Sequence, residues 1–154
     1  MIANRMPHKN TPKGFTIIEL LIVIVVIGIL ASIMVVSYVN VTKQAKATGA
    51  YENALSVQKV AESYFADFRT YPSETSDFNQ ATVAKLAKDI IILPSGTSLD
   101  DTNGEHAILY KYKGTEGLAT GASIQYYDFN SDALSDPIFI GNATTISGLT
   151  QPTQ

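Results

Sequence analysis

From Phe15 to Val36 the chain reads FTIIELLIVIVVIGILASIMVV, and only Thr16, Glu19 and Ser32 in these 22 residues are polar. At 1.5 Å of rise per residue the run makes roughly 33 Å of helix, enough to cross a hydrocarbon core of about 30 Å. It is apolar on all sides rather than along one stripe, so lipid or partner helices must cover it. A secretory signal peptide would have a shorter apolar region ending at a small-residue cleavage site. Beyond this run the period changes. Ala50, Ala54, Val57, Ala61, Tyr64 and Phe68 recur at spacings of four and three, which predicts one buried face of an amphipathic helix ending at Arg69-Thr70-Tyr71-Pro72.

The remaining pattern predicts a small head. Val83, Leu86, Ala87 and Ile90 fit a short helix over 79–90, followed by an apolar run from Ile90 to Leu93 that Pro94 stops. Residues 95–104 read as a loop. His106 to Lys113 alternates, with Ile108, Tyr110 and Tyr112 on one side and Leu109, Lys111 and Lys113 facing solvent. That is a strand. Gly114 to Gly121 forms a turn, Ala122 to Phe129 a second strand, Ile138 to Ile140 a third, and the Gly- and Thr-rich tail from Gly141 an irregular end. The expected fold class is α+β, a long N-terminal helix packed on a small antiparallel β-meander. The expected organisation is a leader at 1–14, a transmembrane segment at 15–36, an amphipathic second half at 37–71 and a globular head at 72–154.

Charge adds an orientation. Arg5, Lys9 and Lys13 lie in the first fourteen residues, which leaves 8 basic and 14 acidic groups, a net of minus six, on the rest. The basic start holds the N-terminus in the cytoplasm and sends the head across the membrane, against a modest opposing pull from Lys43 and Lys46. An acidic head lacks the cationic footprint that a nucleic-acid backbone requires, so no nucleic-acid partner is expected. There is no cysteine, which excludes disulfides, thiolate metal sites and a cysteine nucleophile.

Glu19 is the unusual residue, because an ionised carboxylate in an apolar helix costs several kcal/mol, on the order of 3, unless it is paired or wet. Two readings stand. Thr16 and Glu19 have capping-box spacing in a first turn that favours negative charge. Alternatively, a positive charge from another chain meets Glu19 inside the bilayer, the best source being a free α-amine made by cutting before Phe15.

Lys13-Gly14, then Phe15-Thr16-Ile17-Ile18-Glu19 and the long apolar run, resembles the leader and N-terminal segment of type IV prepilins and their pseudopilin relatives, over residues 9–45. The resemblance implies that a prepilin peptidase cuts between Gly14 and Phe15 and methylates the Phe15 amine. It further implies that an assembly ATPase and membrane platform proteins draw the subunit from lipid into a homo-oligomeric filament, with Glu19 of the incoming chain meeting the Phe15 amine of a neighbour. The subunit would then pass from the cytoplasmic membrane to the cell surface. Many relatives carry a proline two-thirds along the apolar segment, where the helix kinks; here no proline falls between Lys13 and Tyr71, and a continuous helix is expected. Many pilins also close their C-terminal loop with a disulfide, for which this chain has no cysteine.

A metal loop is a further candidate. Asp128, Asn130, Asp132 and Asp136 place oxygens at positions one, three, five and nine of a calcium-type loop, and Leu134 offers a carbonyl at seven. The sixth position is Ala133 rather than Gly and the twelfth is Phe139 rather than a bidentate Glu, so the alternative is a polar hairpin loop. Enzymatic signatures are otherwise missing. The head's single histidine, His106, reads as a surface residue. Gly114, Gly117 and Gly121 lack a phosphate-loop ending, and Asp100-Asp101 is a solvated pair. Tyr64, Tyr110 and Tyr112 fall on inward positions. The sequence therefore describes a structural subunit and not an enzyme: a pilin, a pseudopilin of a type II secretion system, or a membrane-anchored domain that never polymerises.

Overall fold

A computed structural model describes residues 14–152, so the leader apart from Gly14, with Arg5, Lys9 and Lys13, lies outside the described residues. The chain divides into two compact units, one ending at Val39 and one beginning at Asn40.

Helix α1 runs from Ile17 to Phe68. In the first unit its side chains are exposed throughout, and it passes from Ile27 to Val36 without a break, as the lack of proline predicts. The hydroxyl of Ser32 donates to the Ile29 carbonyl at 2.7 Å and that of Ser37 to the Ile33 carbonyl at 3.4 Å. These bonds satisfy the polar groups within the helix, so its outer surface stays apolar.

In the second unit α1 buries Ala47, Ala50, Ala54, Val57, Val60, Ala61 and Tyr64. The small alanines let the sheet approach the backbone closely, and the larger Val57, Val60 and Tyr64 fill the core. Phe68 departs from the expected stripe. It is 48% exposed and packs on Tyr64 with ring centroids 4.5 Å apart, because the helix has reached the end of the sheet that covers it. The chain leaves the helix at Arg69, whose φ of 62° is left-handed, and Pro72 forbids a return to helix.

The helix expected over 79–90 does not form. A short 3-10 turn at Thr75–Asn79 precedes an irregular segment. Phe78, Ala81 and Ile90 are its buried anchors, while Val83 is 85% exposed. In a helix the Thr82 N–H would bond four residues back. Instead it donates to the Asp67 carboxylate of α1 at 2.8 Å, and this long-range bond overrides a weak local period.

The sheet comprises β1 (Ile91–Ile92), β2 (Ala107–Lys113), β3 (Gly121–Asp128), β4 (Ala133–Leu134) and β5 (Ile138–Gly141). β2 and β3 pair antiparallel from Ile108↔Tyr126 to Lys113↔Gly121, and β5 continues antiparallel along β3 from Gly121 to Ile124. β4 pairs with the far end of β3, Tyr127↔Leu134 and Asp128↔Ala133. The expected meander is therefore present. Its correction is β1, which pairs parallel with β2: the loop of residues 93–106 carries the chain back so that Ile91 and Ile92 enter beside Ala107 and Ile108 in the same direction.

Ile108, Tyr110, Tyr112, Ala122, Ile124 and Ile140 join Ala54, Val57, Val60, Ala61 and Tyr64 in one core cluster. The outer face of β2 differs from expectation at Leu109, which is buried with Ala107 under Leu93 and Leu99; the 93–106 loop folds over it. Gly141, at φ 62°, ends β5 where a Cβ would lie 2.5 Å from both the Thr120 carbonyl oxygen and the Tyr71 ring. Only glycine fits that passage without displacement.

Candidate functional site

The N-terminal end of α1 gathers the residues that the sequence singled out. Gly14 is exposed, with no described residue near a hypothetical Cβ, and Phe15 is 91% exposed. Both are open to another protein. Glu19 folds back on Thr16: its Oε2 accepts from the Thr16 N–H at 2.8 Å and from the Thr16 hydroxyl at 2.7 Å, while the Glu19 N–H donates to the same hydroxyl at 3.3 Å. This is the capping-box reading realised, in which a carboxylate satisfies a free N–H of the first turn. Neither short bond uses Oε1. Glu19 is therefore held within the chain through one oxygen, and the surrounding Ile17, Ile18, Leu20 and Leu21 form an exposed apolar collar. Such a surface can associate with lipid or with other apolar helices.

The loop of residues 128–136 is a tight hairpin between β3 and β4. Asp128 Oδ1 accepts from the Asn130 N–H at 3.0 Å and Oδ2 from the Ser131 hydroxyl at 2.8 Å. The Asn130 backbone bond is the main influence holding the Asp128 carboxyl below its ordinary range. Asp132, left-handed at φ 51°, receives the Lys43 ammonium of α1 at 2.9 Å. Ala133 and Leu134 are drawn into β4. Among the described residues no group of three or more His, Asp or Glu is arranged to hold a metal ion. Asp128, Asn130, Asp132 and Asp136 share a loop, with Asp128 bonded inside the turn and Asp132 directed to Lys43.

Other candidates take structural places. Asp100 caps the 3-10 turn at Asp101–Asn103 by accepting from the Thr102 N–H at 3.0 Å. His106 is less isolated than its sequence context implied: Nδ1 lies 3.4 Å from Asp89 and 3.3 Å from the Asn53 amide of α1. Gly114 to Gly121 is the expected turn, and its Gly117 N–H donates to the Ser73 hydroxyl.

Sequence reasoning missed Asp77. This buried carboxylate accepts from the Ser73 N–H at 2.9 Å, the Glu74 N–H at 3.0 Å and the Gln80 side chain at 3.3 Å. The available signal was an Asp four residues after Ser73 in a turn opened by Pro72. Burial, together with the negative Asp77 and its hydrogen bond, pushes the Tyr64 phenol up to about 12. Tyr110, fully buried and edge-on to Phe78, is pushed up by burial above all. These groups brace α1 against the sheet.

Residues 9–35 match the family model for the prokaryotic N-terminal methylation motif. The chain is 27% identical to the fimbrial protein EcpC of Eikenella corrodens over 146 residues, covering 89% of this chain and 95% of that protein. It is 36% identical to the type IV major pilin protein PilE1 of Neisseria gonorrhoeae over 51% of this chain and 35% of the relative. It is also 37% identical to the type II secretion system core protein G of Pseudomonas aeruginosa over 43% of this chain and 46% of that one. No solved structure matches. The chain thus carries the prokaryotic N-terminal methylation motif at the start of a long exposed apolar helix with a small sheet on its second half, and it is similar to type IV pilins, fimbrial proteins and a type II secretion core protein.

Proposed function

We propose that this chain is a structural subunit of a type IV pilus-like filament, made as a membrane-anchored precursor and assembled through its N-terminal helix. The observation that carries the reading is the pairing of an exposed Gly14-Phe15 junction with Glu19, four residues further on, at the head of an apolar helix whose side chains are exposed among the described residues. In the membrane that helix is solvated by lipid; in a filament the same surface is covered by copies of itself. A prepilin peptidase cuts after Gly14, and the Phe15 amine so released gives Glu19 of an incoming subunit a cationic partner in a medium where an unpaired carboxylate is costly. The N-terminus faces the cytoplasm and the head the far side, and an assembly ATPase with its platform supplies the work of extraction. Similarity to a type II secretion core protein favours a second reading, a short secretion filament built by the same chemistry.

Glu19→Ala separates assembly from insertion. Expressed with the peptidase and assembly machinery, the variant is expected to reach the membrane and be cut normally while sheared filaments fall at least about tenfold, the loss of a desolvated charge pair. Undiminished filaments would contradict the role given to Glu19.

A further inference from the structure

The sequence presents residues 141–152 as an irregular end, yet the structure ties down their last part. Residues 144–148 are exposed, Ile146 among them at 52%. Thr150 then meets β2: the Tyr112 N–H donates to the Thr150 carbonyl at 2.8 Å and the Thr150 N–H returns to the Tyr112 carbonyl at 2.9 Å. Gln151 reaches the 93–106 loop, accepting from the Gly96 N–H at 3.2 Å and donating to the Thr97 carbonyl at 3.1 Å. The Pro152 carbonyl accepts from the Ser95 N–H at 3.2 Å, and its ring is fully buried.

The position of these bonds matters. The Lys113 carbonyl accepts from the Thr120 N–H at 2.8 Å on the β3 side, so by antiparallel alternation Leu109, Lys111 and Lys113 turn their backbone groups to β3, and Ile108, Tyr110 and Tyr112 turn theirs to the opposite edge. β1 occupies that edge at its start, where the Ile91 N–H bonds the His106 carbonyl and the Leu93 N–H bonds the Ile108 carbonyl. Nothing but Thr150 pairs with the backbone of Tyr112 on that side among the described residues. An uncovered edge is a template for pairing with another chain, and no disulfide is available to close it.

We infer that residues 150–152 form a noncovalent strap that completes the outer edge of β2, pins the 95–97 loop, and opens as a local unit before the head unfolds. Among the described residues its attachment is made by three consecutive residues preceded by an exposed segment, the arrangement expected of a low-stability opening unit. While closed, it denies the Tyr112 end of β2 to strand addition by a second copy of the chain.

Amide hydrogen exchange on the full chain in detergent micelles tests this. Thr150→Pro removes the donated N–H, Gln151→Ala removes both side-chain bonds, and Thr150→Ala keeps every backbone bond. Exchange at Ser95, Gly96 and Tyr112 is expected to rise about tenfold or more in Thr150→Pro, and at Gly96 in Gln151→Ala, with the β2–β3 ladder unchanged and Thr150→Ala like the parent. Rates unchanged in both disruptive variants would show that the strap does not protect the edge. Acceleration of the ladder together with the strap would show that it opens only with the whole head. Either result overturns the inference.

Discussion

Gly141→Ala is the sharpest probe of how the head closes. Two costs arise at this position. An L-residue at φ 62° pays about 1 kcal/mol for the left-handed conformation. The new methyl would also sit 2.5 Å from the Thr120 carbonyl oxygen, 2.5 Å from the Tyr71 ring and 2.8 Å from Gly121 Cα. Two of these atoms are backbone and the third belongs to a buried ring stacked on Phe65 at 4.7 Å, so relief requires β5 to lift from β3, an overpacking cost of about 1–3 kcal/mol. The sum is roughly 2–4 kcal/mol, which for a head of this size lowers the melting temperature by roughly 10–15 °C. Gly96→Ala is the control. It too has positive φ, 85°, but nothing lies within 4 Å of its Cβ, so only the conformational cost of about 1 kcal/mol applies. Near-ultraviolet circular dichroism of the tyrosines, followed through thermal unfolding of the full chain in micelles, reads both variants. If Gly141→Ala melts no lower than Gly96→Ala, the close passage of β5 is not what fixes glycine there.

Two further outcomes follow from the head. Burial and Asp77 raise the Tyr64 phenol from 10 to about 12, so the group leaves stability unchanged below pH 10 and lowers it as pH rises from 10 through 12, by less than the roughly 3 kcal/mol of an unscreened shift of that size; Tyr64→Phe should make the fall of the melting temperature across that window shallower in a pH-melting series. If the 128–136 loop takes calcium, the ion competes with Lys43 for Asp132, and Lys43→Ala tightens binding severalfold by isothermal titration; absence of binding heat from both forms leaves the loop a polar hairpin.

What the sequence made legible follows from the range of the interactions involved. The apolar run from Phe15 to Val36 and the alanine-rich face from Ala50 to Tyr64 are periodic over many turns, so α1 could be placed from pattern alone. The Thr16 and Glu19 cap is a contact between residues three apart and was equally readable. The misses are long-range. Thr82 is held by Asp67, fifteen residues away, which cancels the helix that four apolar residues predict. β1 has two residues, too few for a period, and its parallel pairing depends on a loop whose path no local rule specifies. The covering of Leu109, the buried Asp77 beneath Tyr64, and the anchoring of Thr150 on Tyr112 depend likewise on partners brought together only by the fold.

Whether the chain is a processed, polymerising subunit is read from the mass of its N-terminal peptide. Protein recovered from sheared surface filaments or native membrane should begin at Phe15 with one methyl group on its amine. A chain that retains Met1 to Gly14, or one cut after Ser32, would contradict the account and leave a plain anchor or a secreted domain.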